Sequence, residues 1–396
     1  MDLANSSWEF LEKTNYNKEG FLCSKTEQGI VSILLNLLYS KMLPEMIKKS
    51  PEADHFPGKT GTDQLSDFSL SISISSGLMN STGLYLPPGV VGIIEVDEPM
   101  PFVTVHIGLH QDIQYVKIPP WKRWPSISIE KDLSEKRIEI SSPFGGIVNL
   151  MSNNPEAEIT SVFNLRNFCQ YPVYMRSDPS FFDKTKDNDV SWGEIVTNNV
   201  ILTLPSSKLR EITDFEKICE KIDLIADEVS KFVHYEQQDH YRIVFDIEEF
   251  EGMNDNYPIT LNFDDMNHIL DNIDEPNLSI FSLATSMALA SMKEGFDNAL
   301  ELTLSKIAAT YALKKLYKSF DPYLLPQTGK FPCNSKDLFE KLLQIDEENN
   351  YEAISKTIKY LDFKETVHEN RKMFVSTLSK VIGRKISIPI YMFTNK

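Results

Sequence analysis

Four cysteines, Cys23, Cys169, Cys219 and Cys333, are all that 396 residues contain, and no two stand at CxxC or other short ligand spacing. That excludes a disulfide framework and the usual cysteine-held metal site, and it predicts reduced core thiols in a cytoplasmic chain. Positive charge is scarce as well: 40 Lys and Arg face 57 Asp and Glu, a formal net charge of -17. Such a balance repels phosphate backbones and anionic membrane surfaces, so nucleic acid is a poor partner. Long apolar runs are missing. The most apolar window, "GIVSILLNLLYSKMLPEM" from Gly29, sets Ile30, Ile33, Leu34, Leu37 and Leu38 on one helical face. It is too interrupted to span a bilayer and reads as a buried helix. The polar, acidic start "MDLANSSWEF" lacks the basic and apolar regions of an export signal, and no internal repeat is visible.

What is present supports a sizeable core: 41% of residues are apolar, and the length suits two domains. Residues 1–60 read as a helical segment ending in the breaker-rich linker "KKSPEADHFPGKTGTD". Residues 61–182 carry short alternating runs, among them "FSLSISIS", "FVTVHIGL" and "RIEIS", divided by Pro, Gly and Asn turns, and predict antiparallel strands. Residues 183–396 turn to helical periodicity after the strand "VILTLP", which with Trp192 is expected near the junction. Strand character returns only in "YRIVFDIE" and the terminal "KISIPIYMF". Within the β region, "NSTGLYLPPGVVGIIEV" from Asn80 reads as two strands joined by a Pro-Pro-Gly turn, a hairpin.

The wording of that turn carries a resemblance. "STGLYLPPG" is followed in order by "VHIGLHQDI" from Val105, the expected strand "KRWPSISI" from Lys122, "SSPFGGIVNLM" from Ser141, "SWGEIVTNNVILTLPSSKLREI" from Ser191 and "YRIVFDIEEFEGMNDNYPI" from Tyr241. "NRKMFVSTLSKVIGRKISIPI" closes the series. The series resembles the enhancin-like, mucin-cleaving metallopeptidase domain family, to which the TRP-channel-associated factors are related. The resemblance implies an α+β fold in which an antiparallel β-sandwich leads into a mostly helical zincin-like domain of gluzincin type. It also implies zinc, held by two histidines of an HExxH helix and a later glutamate. Histidines at i and i+4 share a helical face, and the Glu between them acts on metal-bound water.

That motif is absent. The window where the family carries it, Thr260 to Glu301, contains no HExxH; "SLATS" stands at the matching place. Ser282 and Ser286 replace the histidines, Leu283 replaces the base, and Glu301 alone matches a zinc ligand. No cofactor is expected, and the chain is expected to be a non-catalytic homologue, a pseudopeptidase that binds or scaffolds a protein or glycoprotein. The alternative is a peptidase with a rebuilt metal site drawn from Asp264, Asp265, His268 and Glu301, Asp264 and His268 being spaced i and i+4. Other histidines offer less. His106 and His110, at period two on one strand face, could with Asp112 approach a metal but are expected to be structural. His234 and His240 are six positions apart and point different ways on a helix. In "HENRK", Lys372 stands where a second histidine would be needed after His368 and Glu369. "HFPGKTG" lacks the first glycine and the preceding strand of a phosphate loop, and Gly145 and Gly146 of "PFGG" are expected in a tight bend.

Overall fold

A computed structural model describes residues 41–112, 121–154, 158–236, 239–249, 257–293, 295–324, 333–361, 367–389 and 392. The helix expected from Gly29 lies outside the described residues, as does most of the 1–60 segment. The chain divides into two units, one of residues 1–195 and 203–213, the other of residues 196–202 and 214–396.

The first unit is built on antiparallel strands β1 (Ser66–Ile74), β2 (Met79–Leu86), β3 (Gly92–Val96), β4 (Met100–Ile107), β5 (Ile129–Leu133), β6 (Arg137–Ile140), β7 (Gly146–Ser152) and β8 (Ile159–Gln170). They run β5-β4-β7-β2-β8-β3-β6, with β1 also on β8. In β1 the period-two pattern sends Ser69, Ser71 and Ser73 to solvent and packs Phe68, Leu70 and Ile72 on the core. All eight strands contribute to one hydrophobic core, from Ile74 on β1 to Phe163 on β8. Strands at opposite ends of a flat sheet could not share a core, so the sheet curls on itself. The long strand β8 makes this possible. Its residues 163–166 pair with β3, while Cys169 and Gln170 pair with β2. Between them Asn167 takes the left-handed conformation (φ 66°), and its amide donates to Val91 O at 3.0 Å. Beyond this sheet, β9 (Val173–Met175) lies beside β10 (Trp192–Val196). A short helix α1 (Phe182–Thr185) separates them, and α2 (Ser206–Glu211) follows β11 (Val200–Pro205), within which the division between the units falls.

Two strand expectations are corrected. The Pro-Pro-Gly turn does not make a hairpin: β2 bonds to β7 and β8, β3 bonds to β6 and β8, and neither bonds to the other. The turn instead carries the chain from one region of the curled sheet to another. "KRWPS" is a loop, with the strand starting only at Ile129. The loop is organised by buried Arg123, whose guanidinium donates to Trp124 O and Gln111 O, each at 2.7 Å.

The second unit pairs β12 (Tyr241–Asp246) in parallel with β13 (Ile259–Asn262). Its helices are α3 (Phe215–Val233), α4 (Phe263–Asp271), α5 (Leu278–Ala290), α6 (Asn298–Leu316), α7 (Cys333–Glu347), α8 (Ala353–Tyr360) and α9 (Val367–Ile382). The helix expected through "KLREITDFEKI" is two helices, because Ile212 is extended and Asp214 caps α3 by accepting from Lys217 N at 3.1 Å. α3 buries Ile218, Ile222, Ile225 and Val229 along one stripe and packs on α5 and α6. The strand expected at "KISIPIYMF" is not formed over residues 385–389.

Candidate functional site

α5 carries Ser282, Leu283 and Ser286, the residues expected in place of the zinc motif. Asn277 starts it, its side chain accepting from Ile280 N at 3.0 Å, and no Gly or Pro interrupts the run "LSIFSLATSMALA". Helical spacing places Ser282 and Ser286 one above the other, yet that face is closed: Ser282 is 4% exposed, Leu283 and Ser286 0%. Every residue from Ser279 to Ala288 is buried, the mark of a helix hydrophobic all round. Two hydroxyls bond to the carbonyl one turn back. Thr285 donates to Phe281 O at 2.8 Å, and Ser291, just past the helix, donates to Met287 O at 2.8 Å. Ser291 also meets the Tyr241 hydroxyl, which lies 3.0 Å from Ser230 and whose pKa is raised by burial.

α6 runs alongside α5. Asp297 caps it, accepting from Leu300 N at 3.3 Å and from Arg371 Nε at 2.8 Å. Glu301 occupies the first turn, half-buried, its amide donating to Asp297 O at 2.8 Å. An acid there is favoured by the helix dipole whether or not a metal is near.

Zinc does not fit these residues. Neutral hydroxyls at Ser282 and Ser286 are not imidazoles, Leu283 has no proton-accepting atom, and a single carboxylate does not make a three-ligand site. The rebuilt set fares no better. Asp264 and His268 stand exposed on α4, while Asp265 points inward and accepts from Ser279 Oγ at 2.5 Å. Among the described residues no three His, Cys, Asp or Glu side chains are grouped to hold a metal.

The other histidines are placed separately. β4 ends at Ile107 and Gly108 turns away (φ 93°), so His106 and His110 do not share a strand face as expected. His106 Nδ1 sits 3.1 Å from Glu130, and His110 lies edge-on between the rings of Phe56 and Trp192. His234, in the left-handed position that ends α3, contacts Ser355, and His240 contacts Thr197 O. The side chain of His368 lies outside the described residues.

The family-like motifs prove to be parts of one lock. Gly89 of "LPPG" donates to Ser142 O at 2.8 Å, and Ser142 Oγ accepts from the amides of Phe144 and Gly145. A Cβ on Gly145 would come within 2.6 Å of Leu86 O, and one on Gly146 within 2.5 Å of Gly108 N, so these turns need glycine to touch. Ser191 of "SWGE" donates to Gly58 O at 3.0 Å and meets Thr60 Oγ1 at 2.6 Å and the Tyr85 hydroxyl at 3.0 Å. Burial pushes the Tyr85 pKa up to about 12. Glu194, 0% exposed, accepts from Tyr171 at 2.6 Å and from Ser81 at 3.0 Å. These groups hold the curled sheet together, and the order of the motifs records that packing.

Residues 62–163, which make up most of that sheet, match the model of the N-terminal domain of M60-like peptidases. The match takes in 102 of the 396 residues. Among curated proteins, the chain is 27% identical over 202 residues to TRPM8 channel-associated factor 3 of Mus musculus, a match covering 48% of the chain and 22% of that protein. The chain thus spans under a quarter of the length of that relative. Among solved structures, it superposes on the ZmpB metallopeptidase of Clostridium perfringens with a TM-score of 0.59 at 12% identity, covering 84% of this chain and 77% of that one. The M60 catalytic domain of Clostridium perfringens ZmpC, solved in complex with the sialyl T antigen, gives a TM-score of 0.54 at 11% identity, over 82% and 78% of the two chains. At such identity these likenesses establish the α+β fold with its large antiparallel sheet. No helix among the described residues is long and apolar enough to cross a membrane.

Proposed function

We propose that the chain is a non-catalytic M60-like homologue, a pseudopeptidase that binds or scaffolds a protein or glycoprotein partner. One observation carries this reading. On α5 the two positions that would bear the zinc histidines are Ser282 and Ser286, the position of the base is Leu283, and all three are sealed from solvent. These are vestigial active-site positions, and Glu301 is the remnant of the third ligand. Under this reading the eight-stranded sheet is the β-sandwich half of the domain and residues 183–396 are its degenerate zincin-like half, with no zinc required. The name of the TRPM8 channel-associated factors and the glycan held by the ZmpC relative support a partner that is a protein or carries sugar. Cys169 and Cys219, both buried free thiols, support a reducing, cytoplasmic setting.

The test is a cleavage assay on an O-glycosylated mucin-type glycoprotein, with and without chelator, beside a binding measurement on the same glycoprotein. Binding without turnover is the expected result. Chelator-sensitive turnover by the unmodified protein would refute the reading.

A further inference from the structure

The stretch from Arg371 to Lys385 holds five cations and no acidic residue in a chain whose net charge is -17. Local folding turns this stretch into a groove. α9 stops at Ile382 because Gly383 takes a left-handed conformation (φ 75°), with its amide donating to Ser379 O at 3.0 Å. The chain then turns back, held where Ile386 N donates to Ser379 Oγ at 3.0 Å. Between the helix and the returning segment lies a groove of about 710 Å³, within the range of roughly 300–1,000 Å³ usual for ligand sites. Val375, Ile386 and Ile388 supply its apolar wall, and Lys372, Lys380 and Lys385 stand exposed around it.

Two of the five cations are already engaged, Arg371 with Asp297 and Arg384 with Glu348. Among the described residues, Lys372, Lys380 and Lys385 form no ion pair. Elsewhere acids outnumber bases, so a patch with three uncompensated lysines beside an apolar wall is a local reversal of the molecule's charge. Its chemistry selects among anions. Among the described residues no aromatic side chain lines the groove to stack a base, and the net charge of the chain opposes a phosphate backbone. An acidic peptide satisfies both features, with carboxylates on the lysine rim and an aliphatic side chain against Val375 and Ile386.

We propose that this groove docks an acidic, aliphatic-containing peptide segment of a partner protein. The site is independent of the chemistry at α5 and stands whether or not the chain cleaves a substrate.

The experiment is fluorescence anisotropy on the purified full chain with three probes: a short labelled peptide in which Leu is flanked by Asp and Glu, the same peptide with Ser for Leu, and single-stranded oligo-dT. The Leu peptide should bind best and should weaken as salt rises. The combined change Lys372→Glu, Lys380→Glu and Lys385→Glu should weaken it about tenfold or more, since it reverses the three lysine charges on the rim. Ile386→Ser should weaken the Leu peptide and leave the Ser peptide unaffected. The lysines are exposed, so circular-dichroism melting of the triple variant should match the parent and show that loss of binding is local. Absence of binding by the Leu peptide at millimolar concentration, a triple variant that binds within twofold of the parent, or oligo-dT binding more tightly than the peptide would each overturn the proposal.

Discussion

Replacing Ser282 with His, Leu283 with Glu and Ser286 with His writes HExxH onto α5, and the burial of the three positions sets what this does. Leu283 is 0% exposed, so removing it forfeits about 1.5–3 kcal/mol of apolar burial. A carboxylate in its place costs several kcal/mol more unless it takes up a proton. Each imidazole enters a site that is 4% or 0% exposed and must displace packed neighbours, at about 1–3 kcal/mol apiece. The positions are adjacent, so the terms do not add strictly. Their sum is nonetheless on the order of 10 kcal/mol, comparable with the roughly 5–15 kcal/mol that holds a typical domain folded. In urea titrations followed by circular dichroism, the triple variant should be unfolded or severely destabilised, Leu283→Glu alone should account for the largest share, and Ser286→Ala should stay close to the parent. Mass spectrometry of the metal content should find no stoichiometric zinc in the triple variant. A triple variant with the parent's urea midpoint, or one that folds and holds one zinc per chain, would refute the reasoning, because α5 would then face an open cleft.

Three further outcomes follow from other buried groups. Burial raises the Asp346 pKa from 3.8 to about 6, so its contribution to stability is fully present below the unfolded value and is lost as pH rises through about 6. Asp346→Asn keeps an acceptor for Ile354 N, 2.9 Å away, and should stabilise the fold by on the order of 3 kcal/mol above pH 7 but by little below pH 4, as read by urea titration at both pH values. Tyr171→Phe removes the 2.6 Å hydrogen bond to buried Glu194 and should cost about 1.5–3 kcal/mol at neutral pH, measured the same way. Gly146→Ala should cost several kcal/mol, since its Cβ would meet the Gly108 backbone at 2.5 Å, whereas Gly77→Ala, with nothing within 4 Å, should cost only about 1–2 kcal/mol for its positive φ; thermal melts of the pair would separate contact from conformation.

Much of the architecture is written in local pattern. The alternation in "FSLSISI" puts serines outside and Phe68, Leu70 and Ile72 inside without reference to the rest of the chain, because successive strand residues face opposite ways. The want of an imidazole or carboxylate in "SLATS" is equally plain, since no fold can make Ser282 or Leu283 into an imidazole or a base. Pairing was not legible. A Pro-Pro-Gly turn bends the chain in the same way whether the flanking strands bond to each other or to distant partners, and only contacts from Arg137 through Gln170 decided against the hairpin. The "KRWPS" stretch reads as strand because its β-like side-chain pattern carries no sign that Arg123 is buried among carbonyls.

The candidate site divides along the same line. Sequence alone determined which chemical groups exist: a chain rich in carboxylate, a helix without metal ligands, and a basic run near the C-terminus. Tertiary structure decided which of them meet. It sealed Ser282 and Ser286 inside the second unit, set Asp264 and His268 out in solvent, and turned the chain back at Gly383 so that a run of lysines became the rim of a groove. Side-chain chemistry is local and can be read one residue at a time. Burial and convergence depend on contacts between residues far apart in the chain, and these arise only once the backbone has folded.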